Sequence, residues 1–321
     1  YLIQIMNKIS MNKIITLTVN PAIDKSTTVQ GIRPNSKLRC NTPVFEPGGG
    51  GINVSRVIQE LGGTSLCMYL AGGPTGTHLQ NQLTDLNIVQ QVIPIDGWVR
   101  ENLAVTDTMN NEQYRFGMPG PIVQESEWKN TLVQLDAILS ENDFLVASGS
   151  LSPGMPADFF AQVSKIVKKN KAKYILDTSG DALIKGANEG VYLLKPNLGE
   201  LATLCGLNEI SYVEFEIVAK NFIKNNPCKI LVISMGPKGA MIVADNKIDY
   251  IKAPIVFQKS TIGAGDSMVA GMVLALAQGK SIHEMASFGV ACGTAATMTE
   301  GTQLCKAKDV KELNIWILEN S

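Results

Sequence analysis

The stretch Ser260-Thr261-Ile262-Gly263-Ala264-Gly265-Asp266-Ser267 leads directly into an apolar run over residues 268–277. Its two glycines let the backbone turn tightly where a helix begins, so several N–H groups can point at one anion. Gln278-Gly279-Lys280 predicts the helix end, which places Asp266 in the first turn. There the helix dipole favours the ionised carboxylate that a general base needs. An anion cradle beside a base indicates phosphoryl transfer, although an ordinary capping Asp would also suit this position.

Composition limits the class of protein. The 321 residues are 45% hydrophobic and include 29 glycines, which fits a large α/β core with many tight turns. The formal net charge is −1 without a basic block, so an extended nucleic-acid or membrane-binding surface is not expected. Any phosphate site must therefore be local.

Six cysteines are scattered without C-x-x-C spacing, and only two histidines accompany them. This pattern predicts reduced, mostly buried thiols in a cytoplasmic protein rather than a soft-metal site. The first ten residues lack a targeting signal, and a second start-like sequence begins at Met11. We therefore interpret residues 1–10 as an upstream extension.

Short β-rich runs alternate with amphipathic segments along the chain. The predicted buried strands are Ile14–Val19, Phe144–Ser148, Tyr174–Asp177, Val191–Leu194 and Ile230–Ser234, and the predicted helices are Ser126–Ser140, Ala157–Asn170 and Glu214–Asn225. This βαβ alternation predicts an α/β fold with a mostly parallel sheet covered on both faces. Ligands of such sheets bind at the carboxyl ends of the strands.

Two stretches break the alternation, Ser26–Phe45 and Asn102–Phe116, and both are predicted as antiparallel strands. We interpret residues 26–45 and 101–117 as a small β-lid, and 11–25, 46–100 and 118–321 as the core. Strand alternation would put Lys37 and Arg39 on one face, where two cations suit a small anion. A solvated edge strand protected by charge remains the alternative.

Four glycines in Pro47-Gly48-Gly49-Gly50-Gly51-Ile52-Asn53 precede a predicted helix and suit close approach of a polyhydroxylated substrate. The Asn53 amide can both donate and accept hydrogen bonds. The chain has no G-x-x-x-x-G-K-[ST] sequence and no G-x-G-x-x-G after the first strand, which argues against P-loop and dinucleotide-binding interpretations.

These residues resemble the signature regions of the ribokinase-like sugar kinases. The resemblance runs from Met11 to about Ile317 and rests on Gly48–Asn53, Lys195-Pro196-Asn197 with Glu200, and Thr261–Asp266. Within that family it is greatest to the 6-phosphofructokinase branch, through Lys37–Cys40, Phe45–Gly48, Gln113–Phe116 and Met118–Gly120. It implies a three-layer αβα core and a β-lid that forms the interface of a homodimer.

The resemblance also implies roles for matching residues. Asp266 would be the catalytic base, and the amides of Gly263, Ala264 and Gly265 would hold the transferred phosphoryl group. The implied nucleotide-binding residues are Lys195, Asn197, Ser234, Gly236 and Gly239. Asn197 and Glu200 would organise water-bound Mg²⁺ at the phosphates of ATP, although Glu200 also suits simple stabilisation of a helix start.

On the sugar side, the resemblance implies contacts from Asp24, Gly49, Gly50 and Asn53. The substrate phosphate would be bound by Lys37, Arg39 and Arg100, with a contribution across the subunit interface as one option for Arg100. Family members also often bind a monovalent cation, here K⁺, behind the anion cradle. Its expected carbonyl ligands are Ser260, Ile262, Ala296, Thr299, Gly301 and Gln303.

Kinases of fructose 1-phosphate or tagatose 6-phosphate typically carry a lysine in the glycine motif, and Gly48–Gly51 has none. We therefore expect ATP-dependent phosphorylation of fructose 6-phosphate at its 1-hydroxyl, a glycolytic reaction. Tagatose-6-phosphate kinase and 1-phosphofructokinase activities remain alternatives, and kinases of uncharged sugars are disfavoured by Lys37 and Arg39. A catalytically silent sugar-phosphate sensor and a dinucleotide-dependent oxidoreductase are the alternatives from other classes.

Overall fold

The computed structural model describes residues 12–211 and 214–320, so the extension expected over residues 1–10 lies outside the described part. The strands are β1 (Ile14–Thr18), β2 (Ala22–Val29), β3 (Val44–Gly48), β4 (Leu66–Ala71), β5 (Val89–Pro94), β6 (Arg100–Asp107), β7 (Gln113–Phe116), β8 (Phe144–Ser148), β9 (Lys173–Asp177), β10 (Val191–Leu194), β11 (Cys228–Ser234), β12 (Ala240–Ala244) and β13 (Lys247–Ile251). The helices are α1 (Gly50–Glu60), α2 (Gly73–Asp85), α3 (Glu125–Ile138), α4 (Phe159–Lys169), α5 (Gly180–Glu189), α6 (Leu198–Leu204), α7 (Phe215–Asn225), α8 (Ala264–Ala277), α9 (Ile282–Thr297) and α10 (Ala307–Glu319).

Nine strands form one sheet in the order β13-β12-β11-β10-β9-β8-β1-β4-β5. Pairing is parallel from β11 to β5, and the two strands at the other edge are antiparallel. Every residue of β1 and β8 is buried, as expected for a parallel sheet covered on both faces. The predicted α/β class is confirmed.

Alternate residues of each central strand belong to two separate apolar cores. Phe144 and Val146 of β8 pack with α1, α8, α9 and α10, whereas Leu145 and Ala147 pack with α3 to α7. Because successive strand side chains point to opposite faces, these two cores are the two helix layers of an αβα sandwich. Helix α8 is buried along almost its whole length.

The elements predicted from apolar runs agree closely with the observed ones. Strands β8 and β10 match residue for residue, and helices α3, α4 and α7 match within two residues at each end. Four of the six cysteines are buried and none is in a disulfide, which confirms the expectation of mostly buried reduced thiols; Cys40 is exposed and Cys205 half-buried.

A second, four-stranded sheet has the order β3-β2-β6-β7. Its two hairpin pairs are antiparallel, and the central pair β2 and β6 is parallel. Strand β2 begins at Ala22, so this sheet starts four residues before the lid boundary expected at residue 26 and contains Asp24. Strands β6 and β7 are joined by a turn at residues 108–110, and Asn111 after it has a φ of 60°.

The prediction of a strand over Lys37–Cys40 is wrong. Residues 30–43 are irregular, and Lys37, Arg39 and Cys40 are all exposed. Pro34 and Pro43 in this segment cannot donate to a ladder, and its bonds to β2 are made by Asn41, which donates to Thr28 and accepts from the Thr27 hydroxyl. The alternating faces expected for the four residues therefore do not form.

No described helix is both long enough and apolar enough to cross a membrane.

Candidate active site

The site begins at the N-terminus of α8. Gly263 caps the helix with a left-handed φ of 70°, a conformation that glycine adopts without strain. Its carbonyl accepts a bond from the Ser267 amide at 2.8 Å. The first-turn amides of a helix have no acceptor within the helix. The Ala264 amide makes only a 3.5 Å bond to the Thr261 carbonyl, so it and the Gly265 amide are available to an anion at the positive end. The predicted cradle is thus a helix N-terminus, as the sequence indicated.

Asp266 lies in the first turn of α8 and is held by two neighbouring elements. Its Oδ2 accepts a 2.8 Å hydrogen bond from the Asn53 side-chain amide, and its Oδ1 lies 3.4 Å from the Ser148 hydroxyl. Although the residue keeps some exposure, burial, and after it the negative charge of Asp177, raise the pKa of Asp266 to about 6. The helix dipole favours the ionised carboxylate, but desolvation outweighs it and raises the pKa overall. At neutral pH the carboxylate is still mostly ionised.

Two residues that the sequence did not single out complete this cluster. Asp177 ends β9 and lies 3.3 Å from the Lys195 ammonium, and the Ser148 hydroxyl at the end of β8 lies 3.4 Å from Asp177. One hydroxyl hydrogen can serve only one of the two carboxylates at a time. Both residues stand at carboxyl ends of parallel strands, and that position is the signal that would have found them.

Lys195 is almost fully buried, yet its charge is retained. Burial lowers its pKa, but Asp177, Glu200 and Asp266 outweigh that effect, so the pKa of Lys195 is raised overall. Its Nζ is 3.6 Å from where a Cβ on Gly265 would stand. A fixed positive charge therefore lies directly beside the anion cradle.

The glycine run brings the start of α1 against the end of β8. A Cβ on Gly50 would lie 2.2 Å from the Ser148 hydroxyl oxygen and 2.8 Å from the backbone nitrogen of Gly149. Gly49 has a φ of 112°, which disfavours any side chain. Because α1 lies this close to the end of β8, the side chain of Asn53 on α1 can reach Asp266.

A cavity of about 320 Å³ opens beside the cradle. Its lining includes Ser234, Gly236 and Gly239, three of the residues predicted to bind the nucleotide, together with Thr261, Ala264 and Gly265. Most of the remaining lining is apolar, which suits a flat aromatic base.

A second cavity, of about 250 Å³, lies between the small sheet and the core. Asp24 lines it together with Asn102, Ile262 and Thr302. The Asp24 carboxylate accepts a 2.8 Å bond from the Asn102 amide, and burial raises its pKa. The 261–265 segment thus borders both cavities, and Asp266 follows it directly.

Arg100 lies near Asp24, and its half-buried guanidinium donates to the carbonyls of Met118 and Asn20 at 3.0 and 3.2 Å. Its Nε is buried with no hydrogen-bond partner among the described residues. Burial lowers the pKa of Arg100, while the charge of Asp24 opposes that effect. Lys37 and Arg39, by contrast, are exposed and are not among the residues that line the two cavities.

The family model for pfkB family carbohydrate kinases matches residues 12–309. The chain belongs to the pfkB family of carbohydrate kinases. It is 40% identical to the ATP-dependent 6-phosphofructokinase isozyme 2 of Escherichia coli K12 over 96% of this chain and 99% of that protein. It is 33% identical to the 1-phosphofructokinase of Borreliella burgdorferi over 94% and 96% of the two chains.

Solved structures agree with this family assignment. Two crystal structures of phosphofructokinase-2 from E. coli, in complex with potassium and with fructose 6-phosphate, match with TM-scores of 0.93 and 0.91 at 40% and 39% identity. Each match covers 96% of this chain and 100% of the other. An Arabidopsis thaliana ribokinase, 17% identical with a TM-score of 0.73 over 94% and 98% of the two chains, has the same fold. The ribokinase-like fold expected from the motifs is confirmed.

In this pfkB family chain, the two segments expected to hold a monovalent cation lie side by side. The Ser260 hydroxyl donates to the Gly301 carbonyl at 2.9 Å, and the Thr299 hydroxyl contacts the carbonyls of Ala296 and Gln303 at 2.8 and 2.7 Å. Each carbonyl oxygen has a second lone pair for a ligand. These bonds hold the two segments together, and the cation site itself stays a prediction.

Asn197 and Glu200 form a reciprocal capping box at the start of α6, with both bonds at 2.9 Å. This is the helix-stabilising role named as the alternative for Glu200. Among the described residues, no three acidic, histidine or cysteine side chains converge to hold a metal ion by themselves. A magnesium ion would therefore need phosphate and water oxygens as well, which fits a nucleotide-bound ion.

Proposed function

We propose that this chain is an ATP-dependent 6-phosphofructokinase that converts fructose 6-phosphate and ATP to fructose 1,6-bisphosphate and ADP. The observation that carries the proposal is the placement of the 260–267 segment between two cavities. One cavity is apolar and of a size to hold a nucleotide base, and the other carries Asp24 and lies near Arg100. The relative that shares 40% of its residues with this chain is named as such a kinase.

The reaction follows from the positions of the residues. Asp266 accepts the proton of the sugar 1-hydroxyl, and the oxygen forms a bond to the γ-phosphorus of ATP as the bond from that phosphorus to the β,γ-bridging oxygen breaks. The amides of Gly263, Ala264 and Gly265 and the Lys195 ammonium stabilise the negative charge on the transferred group. Asn197 and Glu200 would help to hold Mg²⁺ at the ATP phosphates, where the ion would supply charge neutralisation.

On the sugar side, we propose that Asp24, Gly49, Gly50 and Asn53 orient the hydroxyl groups of the substrate. Arg100 supplies one cation for the 6-phosphate, supported by its position near Asp24 and its unpaired Nε. We assign Lys37 and Arg39 to the 6-phosphate of the substrate bound by the other subunit of a dimer. Both residues are exposed and lie outside the cavities of their own chain.

A homodimer through the small sheet supports that assignment. Val44, Tyr114 and Phe116 on its edge strands are exposed apolar side chains, and exposed edge strands invite pairing. A second copy of the chain placed on this sheet would bring residues 30–43 of one subunit towards the sugar cavity of the other. We also propose K⁺ at the carbonyls of the 260–262 and 296–303 segments, supported by the existence of a potassium complex of the E. coli protein.

A substrate panel tests the proposed function. The purified protein is assayed with ATP and Mg²⁺ against fructose 6-phosphate, fructose 1-phosphate, tagatose 6-phosphate and ribose, and the product is identified by ³¹P NMR. We expect the highest kcat/KM with fructose 6-phosphate and phosphorylation at the 1-oxygen. A higher kcat/KM with another sugar would move the chain to that kinase activity. Binding without turnover would identify a sensor instead.

A further inference from the structure

Arg56 lies one helical turn after Asn53 on α1, and it lines neither of the two cavities. Its side chain is only 15% exposed. The guanidinium Nη1 donates to the Pro47 carbonyl at 2.7 Å and lies 3.3 Å from the Asn53 Oδ1, and Nη2 donates to Glu46 Oε1 at 3.0 Å. A buried cation with three fixed acceptors is a rigid element of the site.

The contact with Asn53 determines which end of that amide faces the base. Arg56 has only donors, so the Asn53 oxygen must point towards it. The Asn53 nitrogen then points towards Asp266, where it donates at 2.8 Å. A rotated amide would place its oxygen against the Asp266 carboxylate and its NH₂ against the guanidinium, and both contacts would be repulsive. Arg56 therefore selects the orientation that stabilises the ionised base.

Glu46 connects this arrangement to the loop behind the anion cradle. Its Oε1 pairs with Arg56, and its Oε2 accepts a hydrogen bond from the Thr302 hydroxyl. Thr302 belongs to the segment whose carbonyls gather near Ser260, and it also borders the sugar cavity. A continuous series of side-chain contacts therefore joins this loop to the base, in the order Thr302, Glu46, Arg56, Asn53 and Asp266.

We propose that Arg56 is a positioning residue that acts on the base Asp266 through the side-chain amide of Asn53, with Glu46 and Thr302 fixing the guanidinium. The inference rests on the proposed role of Asp266 as the proton acceptor. Arg56 does not contact the reacting atoms, so its effect appears in the ionisation of the base and not in the binding of ATP. Because the Asn53 bond lowers the pKa of Asp266, loss of that bond raises it.

The matched pair of variants is Glu46→Gln and Glu46→Gln/Arg56→Met. The first keeps the guanidinium with its contacts to Pro47 and Asn53, and the second removes it without leaving an unpaired buried carboxylate. Relative to the first variant, we expect the acidic limb of the kcat–pH profile of the second to move up by about 0.5–1 pH unit. At pH 6.5 the ionised fraction of the base then falls, and with it we expect kcat to fall about 1.5- to threefold. The KM for ATP should stay within about twofold.

Combination with Asn53→Ala separates positioning from general support of the fold. If Arg56 acts through Asn53, then removing Arg56 in the Asn53→Ala background adds no further shift of the acidic limb. An equal shift in both backgrounds, or no shift in either, overturns the proposal.

Arg56→Lys provides an independent variant should the double variant not fold, because one ammonium cannot hold Glu46, Pro47 and Asn53 together. The Arg56→Lys variant should shift the acidic limb of the kcat–pH profile in the same direction by a smaller amount. An unchanged acidic limb in this variant also overturns the proposal.

These outcomes are distinct from failure of the proposed function. If the wild-type protein does not phosphorylate fructose 6-phosphate, the proposed function is wrong. If the wild-type protein turns over but its pH profile is insensitive to Arg56, only the positioning role is wrong.

Discussion

The side-chain amide of Asn53 lies 2.8 Å from the carboxylate of Asp266, although 213 positions separate the two residues in the chain. The contact joins the N-terminal turn of α1 to that of α8. It is possible because glycines at 50 and 51 let α1 approach β8 and β1 more closely than any side chain would permit. The base is thereby held at the boundary of the two cavities.

The acidic limb of the kcat–pH profile should report Asp266. Its pKa is raised to about 6, and only the deprotonated carboxylate can accept the hydroxyl proton. The rate should therefore be constant above about pH 7 and fall roughly tenfold per pH unit well below pH 6. Steady-state assays at saturating substrates between pH 5 and 8 measure this limb. A midpoint near pH 4 would mean that the catalytic base is an ordinary exposed carboxylate.

Asp266→Asn should stabilise the fold at alkaline pH. The folded-state pKa is raised from 3.8, so the folded protein binds this proton more tightly than the unfolded chain does. The ionised carboxylate therefore destabilises the native state above about pH 6, and this cost disappears as the pH falls towards 4. We expect Asn to raise the free energy of unfolding by about 1–3 kcal/mol at pH 8 and by about a third as much at pH 4.5.

Urea unfolding at the two pH values measures the difference. Asp85→Asn is the control, because Asp85 is exposed and its replacement should change stability equally little at both. Stabilisation that is the same at pH 4.5 and pH 8 would show that the ionised form is not the destabilising species.

Mixing two variants, one with weakened sugar-phosphate binding and one without the base, tests the shared phosphate site. We expect Arg39→Ala to raise the KM for fructose 6-phosphate by roughly one to two orders of magnitude, as expected for loss of a charge-assisted contact, and to leave the KM for ATP unchanged. If Arg39 serves the partner's site, a heterodimer with an Asp266→Asn subunit contains one intact site. Mixed and re-equilibrated samples should then regain about a quarter of wild-type activity at subsaturating sugar phosphate. No recovery would place Arg39 in its own subunit's site or outside the site.

Gly50→Ala should damage both stability and activity. The new Cβ would lie 2.2 Å from the Ser148 hydroxyl oxygen and 2.8 Å from the Gly149 backbone nitrogen, so α1 must move away from β8. We expect a loss of about 1–3 kcal/mol in thermal or urea unfolding, as for other overpacked sites. Gly117→Ala is the matched control, since nothing lies within 4 Å of its added Cβ. Equal stability of the two variants would contradict the close packing of α1 on β8.

The parts of the site that sequence reasoning found are local in the chain. The turn and the helix around Asp266 can be predicted from residues 263–277 alone. The glycine determines the turn, and the apolar run that follows determines the helix. Ser148 and Asp177 carry no such motif, and only the order of strands in the sheet brings them to Asp266. Their role depends on contacts between distant segments, which residue type and spacing do not encode.

The wrong prediction over Lys37–Cys40 has a related cause. Alternating polar and apolar residues describe a strand only if a neighbouring strand accepts its hydrogen bonds. Here the adjoining strand β2 already pairs with β3 on one side and with β6 on the other over Ala22–Ser26. Pro34 and Pro43 have no amide hydrogen, so the segment has fewer donors for pairing with the rest of β2. The cations are consequently presented to solvent on an irregular segment.

The most direct test of the account is the kcat of Asp266→Asn with ATP, Mg²⁺ and fructose 6-phosphate at pH 7.5. We expect a fall of roughly 10²–10⁴, the usual contribution of a positioned general base. Both substrates should still bind, because the anion cradle consists of backbone amides and the buried Lys195. A variant that retains more than about half of the wild-type kcat would contradict the assignment of Asp266 as the base, and with it the proposed mechanism.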